Sequence, residues 1–266
     1  MAYQFKAHIM IRGQIRCLTG LHIGGSEEQF AVGGPDHPVI RDSVSGAPYI
    51  PGSSLKGTMR SLLEWTLGKI EPDGHVHGRS CRDSACAICR IFGSSRRGVT
   101  TETPVIGPTR LLVRDAFPSA ETLERCQAGG LFVTEQKSEN RLNRITAEVT
   151  PSLLERVPRG AQFDIDMLYG IYDLDDGGLT DIENLKYIYT AFELLEAGAL
   201  GGGGSRGSGK IAIENLRATI KSGRDYQIQA AGDSVDDTLV TGRRLDELLA
   251  AIREKLGLNE SGAPVS

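Results

Sequence analysis

An α+β fold is predicted for this chain of 266 residues, because its apolar residues follow both a strand-like and a helix-like spacing. In residues 5–17, apolar residues alternate with polar ones, which is typical of a half-buried strand. Two other stretches, after Pro51 and around residues 185–195, repeat apolar residues every three or four positions, as an amphipathic helix does. Strand-like stretches lie before, between and after these two helices, which favours a fold that mixes both kinds of element.

The order of the predicted elements fits a βαββαβ ferredoxin-like core with large insertions. The first strand is followed by a glycine- and proline-rich loop and by a helix, whose apolar stripe comprises Leu55, Met59, Leu62, Leu63 and Thr66. Strands are then predicted for RLLVRDAF, from Arg110, and for residues 163–171. The second helix ends at Gly198, and a glycine loop and a strand from Lys210 follow it. A further helix over residues 243–256 precedes the tail NESGAPVS.

Composition and charge limit the classes of function that this chain can have. Its hydrophobic content of 39% and charged content of 24% are ordinary for a globular protein. No apolar run reaches the roughly 20 residues that span a bilayer, and the N-terminus MAYQFKAHIM lacks the apolar region of a signal peptide. We therefore expect a cytoplasmic protein without a membrane partner. The net charge of -4 disfavours a free-standing nucleic-acid binder, so any RNA site must be a local basic surface.

Three of the five cysteines lie within the stretch HVHGRSCRDSACAICRIFG. Cys81, Cys86 and Cys89, together with His77 or His75 just upstream, offer the three thiolates and the imidazole of a tetrahedral structural zinc site. All four positions would be filled by the protein, so such a site has no open position for catalysis. The alternative is three unrelated thiols, which the close spacing disfavours. We predict one structural zinc ion, with His77 preferred over His75.

The stretch GGGGSRGSGK, from Gly201 to Lys210, is close to the phosphate-binding loop G-x-x-x-x-G-K-[ST] of nucleotide hydrolases. A nucleotide hydrolase is nevertheless disfavoured. Ile211 stands where that loop needs a hydroxyl group for Mg²⁺, and the following residues predict a strand where the loop needs a helix. Glycines also let backbone amides approach other anionic ligands closely, and Arg206 and Lys210 add positive charge. The alternative is a flexible turn, which does not require so many glycines.

The first predicted helix begins at PGSSLKGTMR and has a basic face. Ser53 and Ser54 are suitable N-caps, whereas Lys56 and Arg60 place positive charge in the first two turns, where it opposes the helix dipole. A phosphate held by the serine hydroxyls, the helix amides and Lys56 would remove this conflict. The alternative, a solvated basic face, is common on helices.

The polar insertion FVTEQKSENRLNRITAEV carries three basic residues, Lys137, Arg141 and Arg144. Leu142 and Ile145 are the only large apolar residues near its centre. The insertion is either a solvated hairpin or an arm that lies against a polyanion and inserts an apolar tip between bases. Composition alone does not decide between these two interpretations.

The loop between the first strand and the first helix carries four carboxylates, which could act as a general base or hold Mg²⁺ if the ligand is RNA. The 2′-hydroxyl of RNA can attack the adjacent phosphate once the two are held in line, and a nearby carboxylate can act as the base or hold Mg²⁺. The loop GGSEEQFAVGGPDHPVIRD offers Glu27, Glu28, Asp36 and Asp42. Asp36 lies at the loop apex, between Gly-Gly-Pro and His-Pro, although aspartate is also common in exposed turns without any such role.

Seven short motifs occur in one order along the chain: LHIGG, PVIRD, IPGSSLKGTMRSLLE, CRIFG, LLVRDAF, NRITAE and GGGGSRGSGK. With these motifs the chain resembles the repeated backbone subunit of type III-A (Csm) CRISPR effector complexes, in the RAMP superfamily, over residues 5–219. The resemblance implies an RRM-like core with a lid, a zinc loop and a thumb hairpin. It also implies that copies polymerise with other complex subunits along a guide crRNA and cleave the paired target RNA at regular intervals, once per subunit.

The same resemblance implies a role for each group of residues. The serine-basic helix and the glycine loop grip the guide backbone, and the NRITAE hairpin acts as a thumb that displaces one base pair per subunit. The aspartate a few residues before PVIRD, here Asp36, is catalytic, with Mg²⁺ or Mn²⁺ as the cofactor of cleavage, and the zinc loop is structural. The residues assigned to RNA binding are His22, Ser53, Ser54, Lys56, Arg60, Lys137, Arg141, Arg144, Gly204, Ser205, Arg206, Gly207 and Lys210.

We therefore expect two parts in the chain. Residues 1–222 form an RRM-like RAMP domain, with the zinc loop inserted near 71–100 and the thumb hairpin near 131–150. Residues 223–266 add a C-terminal helix and a tail, which have no counterpart in the resembled family. Type III-B and type III-D relatives share the glycine loop and the serine helix. The alternative function is therefore a non-cleaving guide-RNA scaffold of such a complex.

Overall fold

The computed structural model describes residues 3–25, 36–78, 81–94, 105–128, 133–230 and 238–258. Within these ranges the fold is mixed α and β, with a six-stranded antiparallel sheet and a two-stranded hairpin, and no helix is long and apolar enough to cross a membrane. The strands are β1 Gln4–Cys17, β2 Leu111–Val113, β3 Phe117–Pro118, β4 Glu135–Leu142, β5 Val149–Arg156, β6 Gln162–Asp173, β7 Ile211–Ser222 and β8 Thr238–Thr241. The helices are α1 Gly52–Thr66, α2 Ala87–Phe92, α3 Ala120–Ala128, α4 Leu179–Ala197, α5 Gly223–Ala230 and α6 Leu245–Leu256.

Strand β1 lies at the centre of the main sheet, whose order is β2–β6–β1–β7–β8, and β3 also pairs with β6. Ile9, Ile11 and Ile15 of β1 are fully buried, whereas Arg12 between them is exposed, as the alternating sequence predicts. Their partners on β6 are buried too, for example Met167 opposite Ile11. One face of the two central strands therefore forms a layer of the core.

Helices α1 and α4 contact each other and contribute apolar side chains to the same core. Met59 and Leu63 of α1 are fully buried, as are Ile188 and Phe192 of α4. These residues belong to the stripes that the three- and four-residue spacing predicts, so both predicted helices are confirmed.

The N-terminus of α1 is capped differently from the sequence-based expectation. The helix begins at Gly52 with Pro51 as its N-cap, so Ser53 and Ser54 lie inside the first turn, and the N-cap makes no side-chain hydrogen bond. The Gly52 amide instead donates to Oδ1 of Asp115, at 2.7 Å. A side chain from a distant part of the chain thus satisfies the first amide of the helix, and neither serine acts as the N-cap.

The C-terminal segment is built into the same core as the rest of the chain. Strand β8 pairs with β7 at the edge of the main sheet, where Val240 lies opposite Ala218. Helix α6 buries Leu248 and Ile252 completely. The sequence predicts α6 but neither β8 nor α5, because such short elements have no distinct periodicity. Residues 259–266, the predicted tail, lie outside the described residues.

A buried ion network ties the short helix α2 to α4. The carboxylate of Asp181 is fully buried and lies 3.0 Å from Arg90 Nη1 and 2.8 Å from Arg110 Nε. Burial raises the pKa of Asp181, and the two guanidinium groups oppose that shift. Because an unpaired buried charge is strongly destabilising, this pairing fixes α2 against the core.

Candidate functional site

The lid, defined here as residues 36–41, lies along strand β5 of the hairpin. Leu153 N donates to Asp36 Oδ2 at 2.8 Å, and His37 N donates to Leu153 O at 3.3 Å. From the same strand, Glu155 N donates to His37 O at 3.0 Å. The start of the lid is thus fixed to the hairpin, and Asp36 itself is exposed.

Of the other carboxylates predicted for this loop, Asp42 stabilises a turn. Its Oδ2 atom accepts from the amide and the hydroxyl group of Ser45, at 2.8 and 2.6 Å. The side-chain hydrogen bond from Ser45 lowers the pKa of Asp42. Glu27 and Glu28 lie outside the described residues. Of the two candidates within the described residues, Asp36 is therefore the one whose carboxylate bonds to the hairpin.

The side chain of Glu155 binds the lid to the base of the hairpin. Its Oε2 atom accepts from Val39 N at 2.9 Å, and its Oε1 atom accepts from Arg41 Nη2 at 2.5 Å and from Thr134 Oγ1 at 2.7 Å. Burial alone would raise the pKa of Glu155, but the hydrogen bonds from these three residues outweigh burial and lower it. The carboxylate is therefore held in its ionised form.

The glycine loop, Gly201 to Lys210, packs directly against the backbone of His22. Gly202 N donates to His22 O at 2.8 Å. A Cβ atom at Gly201, where φ is +77°, would lie only 2.2 Å from the same carbonyl oxygen. Gly207 has a φ of +83° and open space where a Cβ atom would be. Some of these glycines therefore permit close packing, whereas Gly207 supplies a left-handed turn that other residues rarely adopt.

His22 connects the glycine loop to the hairpin. Its Nδ1 atom lies 2.7 Å from Glu155 O, and because a carbonyl oxygen only accepts, Nδ1 carries the proton. Charged side chains make a second connection, since the Glu139 carboxylate lies 2.9 Å from Lys137 Nζ and 3.1 Å from Arg206 Nε. The hydrogen bond from Lys137 lowers the pKa of Glu139. The glycine loop and the hairpin are thus joined at two positions of the loop, Gly202 through His22 and Arg206 through Glu139.

A cavity of about 280 Å³ lies where the lid, the hairpin and the glycine loop meet. His37 lines it from the lid, Glu139 and Arg141 from the hairpin, and Arg206 from the glycine loop. Two guanidinium groups outnumber one carboxylate here, so the cavity suits an anionic ligand. Two predicted RNA-binding residues, Arg141 and Arg206, thus line the cavity. Two more contact the hairpin residues beside it: His22 bonds to Glu155 O and Lys137 pairs with Glu139.

The basic residues of helix α1 make contacts within the protein. Lys56 Nζ donates to Leu111 O at 2.7 Å, and burial lowers the pKa of Lys56. Arg60 Nε donates to Glu64 at 2.8 Å, and the Arg60 guanidinium group also contacts the carbonyl oxygen of His77. Arg60 therefore connects α1 to the predicted zinc loop, which the sequence pattern does not reveal.

The remaining predicted RNA-binding residues lie at or near the surface. The turn of the hairpin exposes Arg144 and, next to it, Ile145, whose exposure is 95%. Lys210 contacts the carbonyl oxygen of Glu196 near the C-terminus of α4, where its charge complements the helix dipole. The others are exposed or half-buried: Ser53, Ser54, Gly204, Ser205 and Gly207.

Four side chains converge in the predicted zinc loop, with their ligand atoms within 4.8 Å of one another: His77, Cys81, Cys86 and Cys89. His77 Nε2 lies 3.4 Å from Cys86 Sγ, and His77 Nδ1 lies 3.0 Å from Glu71. A carboxylate on the second ring nitrogen is the common partner of a metal-binding histidine. The hydrogen bond with Cys89 lowers the pKa of Cys86 to about 4, which favours its thiolate. His75 is exposed and outside this group.

Comparison with known proteins assigns the chain to a family. A family model described as the RAMP superfamily matches residues 14–212, which include the end of β1, helices α1 and α4, the hairpin and the glycine loop. The chain belongs to the RAMP superfamily. Its predicted family is therefore confirmed.

Relatives of this RAMP protein match most of its length. The CRISPR system Cms endoribonuclease Csm3 of Enterococcus italicus is 44% identical over 203 residues, which are 76% of this chain and 88% of the relative. The protein of the same name from Methanothermobacter thermautotrophicus is 40% identical over 247 residues, 88% of this chain and 95% of the relative. The crystal structure of a Csm3–Csm4 subcomplex in the type III-A CRISPR-Cas interference complex is similar with a TM-score of 0.57 and 28% identity, covering 94% of this chain and 97% of that one. Csm3 of Methanopyrus kandleri shares the fold, with a TM-score of 0.59 and 24% identity over 98% of this chain and all of that one.

The site of this RAMP protein also contains residues that the sequence motifs do not single out. Glu155, Arg41 and Thr134 fix the lid to the hairpin, and none of them was predicted. A sequence signal exists only for Glu155. The two-residue period of a strand places it on the same side of LLERV as Val157, which is buried.

Proposed function

We propose that this chain is a guide-RNA-binding backbone subunit of a type III CRISPR interference complex and that it cleaves complementary target RNA endonucleolytically at regular intervals. One observation carries the proposal: the exposed carboxylate of Asp36 lies in a lid that is fixed to the hairpin, next to His37, which lines the basic cavity. Relatives over most of the chain are named endoribonucleases. Those names do not favour the second candidate, a non-cleaving scaffold of a type III-B or type III-D complex.

In the proposed reaction the RNA supplies its own nucleophile. The 2′-hydroxyl attacks the adjacent phosphorus, the bond to the 5′-oxygen of the next nucleotide breaks, and that oxygen gains a proton. Asp36 takes the proton of the 2′-hydroxyl, and because its Oδ2 atom is held by Leu153 N, its Oδ1 atom is the one available to the RNA. A Mg²⁺ or Mn²⁺ ion held by the Asp36 carboxylate would offset the charge that develops on the phosphate. The products carry a 2′,3′-cyclic phosphate and a 5′-hydroxyl group.

We infer that guide crRNA lies along the glycine loop and the start of α1, and that target RNA pairs with it beside the lid. Arg206 and Arg141 supply positive charge at the cavity, and the left-handed turn at Gly207 keeps the loop backbone accessible. The exposed tip of the hairpin, with Ile145, is the thumb that displaces a base pair. Copies of the chain and other type III subunits form a helical filament along the guide, and the likeness to the Csm3–Csm4 subcomplex supports such partners.

We further infer that the main sheet and its two long helices form a ferredoxin-like (RRM-like) βαββαβ core. The chain order β1, α1, β2, β6, α4, β7 and the sheet order β2–β6–β1–β7 support this inference. The lid, the zinc loop and the thumb hairpin are then insertions between core elements. Residues 1–222 would be the RAMP domain, and residues 223–266 would be an addition whose helix α6 shares its core.

We propose that the zinc loop binds one structural zinc ion. Three thiols and one imidazole match a tetrahedral shell, and Glu71 on His77 Nδ1 orients the ring so that Nε2 is the ligand atom. The four protein ligands are His77, Cys81, Cys86 and Cys89. Such an ion would have no open position, so it would stabilise the loop and take no part in cleavage.

The test of this function uses the chain assembled with guide crRNA and a radiolabelled complementary RNA. In Mg²⁺ we expect a ladder of products at regular intervals, with 2′,3′-cyclic phosphate and 5′-hydroxyl ends, and in EDTA we expect no products. A non-complementary RNA of the same length is the control. Intact target RNA in Mg²⁺, bound by a well-assembled complex, would contradict cleavage and favour the scaffold.

A further inference from the structure

We propose that Glu155 is a positioning residue for target-RNA cleavage, because it fixes the lid that carries Asp36 to the thumb hairpin. The inference rests on the proposed catalytic role of Asp36. Glu155 is only 8% exposed, and each of its side-chain oxygens already accepts hydrogen bonds within the protein. It therefore acts on the RNA through the lid and not by contact.

The Glu155 carboxylate contacts the lid at two points and the hairpin at one. Oε2 accepts from the amide of Val39, three residues after Asp36. Oε1 accepts both from Arg41, further along the lid, and from Thr134, which lies just before strand β4. Because one rigid group receives all three bonds, the lid and the hairpin base are held in a single relative position.

The backbone of Glu155 adds two further bonds to the same junction. Its amide donates to His37 O at 3.0 Å, and its carbonyl accepts from His22 Nδ1 at 2.7 Å. His22 O in turn accepts from Gly202 N of the glycine loop. One residue thus joins the lid, the thumb hairpin and, through His22, the glycine loop.

Loss of this carboxylate would displace Asp36 without removing it. The buried Val39 amide would lose its acceptor, and Arg41 would keep only its bonds to Gly46 O and Thr134 Oγ1. A buried donor without a partner favours rearrangement of its segment. In-line attack is sensitive to such rearrangement, since misplacement by about 1 Å can cost roughly 10²-fold in rate. We therefore expect a defect in the chemical step and not in RNA binding.

The experiment compares four forms of the assembled, guide-loaded complex: the parent, Glu155→Ala, Glu155→Gln and Glu135→Gln. Glu135 is the matched control, because its carboxylate pairs with Arg156 at 2.6 Å across the base of the same hairpin. Single-turnover cleavage at saturating target RNA and the affinity for target RNA are measured separately. An Asp36→Ala complex is included as the reference for loss of the catalytic carboxylate.

For Glu155→Ala we expect the cleavage rate to fall by roughly tenfold to a hundredfold, with the Kd for target RNA within about twofold of the parent. The cleavage rate of Glu155→Gln should lie between the rates of Glu155→Ala and the parent, because its amide oxygen still accepts from Val39. Glu135→Gln should cleave at the parental rate. Hydrogen exchange at the Val39 amide should be faster in Glu155→Ala than in the parent and in Glu135→Gln, which reports on the lid without reference to cleavage.

The outcomes separate this proposal from the proposed function. Parental cleavage by both Glu155 variants, with an inactive Asp36→Ala complex, would overturn the positioning role and leave the catalytic role of Asp36 in place. Loss of target affinity in parallel with rate would also overturn it, because Glu155 would then support RNA binding in general. If Asp36→Ala cleaves as the parent does, the catalytic assignment fails, and unchanged exchange at Val39 would show that Glu155 does not hold the lid either. If Glu155→Ala does not assemble, the same criteria apply to Glu155→Gln.

Discussion

The predicted zinc loop and the predicted thumb hairpin both have polar sequences, yet several side chains of the first are buried in the core and those of the second face outward. In the zinc loop, Cys86 and Cys89 are buried in the core, as are the large apolar residues of helix α2, Ile88, Ile91 and Phe92. In the hairpin, strand β4 and the turn are largely exposed, and Ile145 at the tip is 95% exposed. An insertion whose side chains point inward stabilises the fold, whereas one whose side chains point outward is available to a partner.

The polar contacts of the two insertions differ in the same way. Around the zinc loop, Arg60 and Glu64 of helix α1 pair with each other and bond to the backbone carbonyl and amide of His77, so the charged side chains of α1 satisfy backbone groups of the loop. Around the hairpin, ionic contacts join separate elements, as when Glu139 pairs with Arg206 of the glycine loop. We therefore expect substitutions in the zinc loop to reduce stability first, and substitutions along the hairpin junction to reduce function at nearly constant stability.

The largest effect on stability is expected from loss of a zinc ligand. Structural zinc contributes about 10–16 kcal/mol of apparent binding free energy in small zinc modules. We predict one zinc ion per parent chain, and for Cys86→Ala a zinc content well below one per chain with a strongly lowered Tm. Cys126→Ala, on α3 and outside the ligand group, is the matched control and should keep both. Metal analysis that finds no zinc in the parent protein would contradict the proposed structural zinc site.

Substitutions at the proposed guide site should reduce stability less than loss of a zinc ligand does, but they should weaken RNA binding strongly. Lys56→Glu, Arg60→Glu and Gly207→Val should each weaken guide binding and filament assembly, by about tenfold or more for the charge reversals, which place a carboxylate near phosphates. Valine at Gly207 would have to adopt a φ of +83°. Lys186→Glu, an exposed reversal on α4, is the control for net charge.

The three variants should also differ in how strongly they lower the Tm, because Arg60 contacts the zinc loop whereas Gly207 lies in the glycine loop. Arg60 bonds to Glu64 and to the carbonyl oxygen of His77, so Arg60→Glu should lower the Tm more than Gly207→Val does. The measurements are guide-RNA affinity by filter binding and Tm by calorimetry. Assembly of all three variants with RNA as well as the parent would show that the helix and the glycine loop are not the guide site.

The smallest effect is a pH dependence of the lid junction. The folded chain lowers the pKa of Glu155 below its ordinary value of 4.5, so the unfolded chain binds the proton more tightly. The stabilisation is therefore complete above pH 4.5 and is lost as the pH falls through the lowered pKa of the folded state. The Tm difference between the parent and Glu155→Gln should be constant near neutral pH and should shrink below that value. A difference that does not change on acidification would contradict this ionised junction.

The sequence predicts those parts of the fold that are set by a local pattern, either the periodicity of apolar residues or the spacing of ligand residues. Strands β1 and β6 and helices α1 and α4 follow from apolar periodicity, and the four zinc-loop residues follow from spacing that is local along the chain. The hairpin is predicted too, although β5 extends to Arg156, beyond the expected end near 150.

Contacts between distant segments leave no such signal. Asp115 caps α1, Arg60 reaches the zinc loop, and Glu155 holds a lid more than a hundred residues away in the chain. Each of these contacts depends on which segments the folded chain brings together. The strand period of LLERV indicates that Glu155 is buried, but not which segment it holds. The role proposed for Asp36 illustrates the same limit, because an exposed loop aspartate has no distinguishing sequence pattern and, within the sequence, only the resemblance indicates it.

The most direct measurement is single-turnover cleavage of complementary RNA by the assembled complex with Asp36→Ala, alongside the affinity of that complex for guide and target RNA. We predict that Mg²⁺-dependent cleavage is abolished while both affinities remain within a few-fold of the parent, because the exposed carboxylate can be removed without disturbing the basic surface. Undiminished cutting by the Asp36→Ala complex would contradict this and would transfer the catalytic role to another group of the lid region, with Asp42 and His37 as the next candidates.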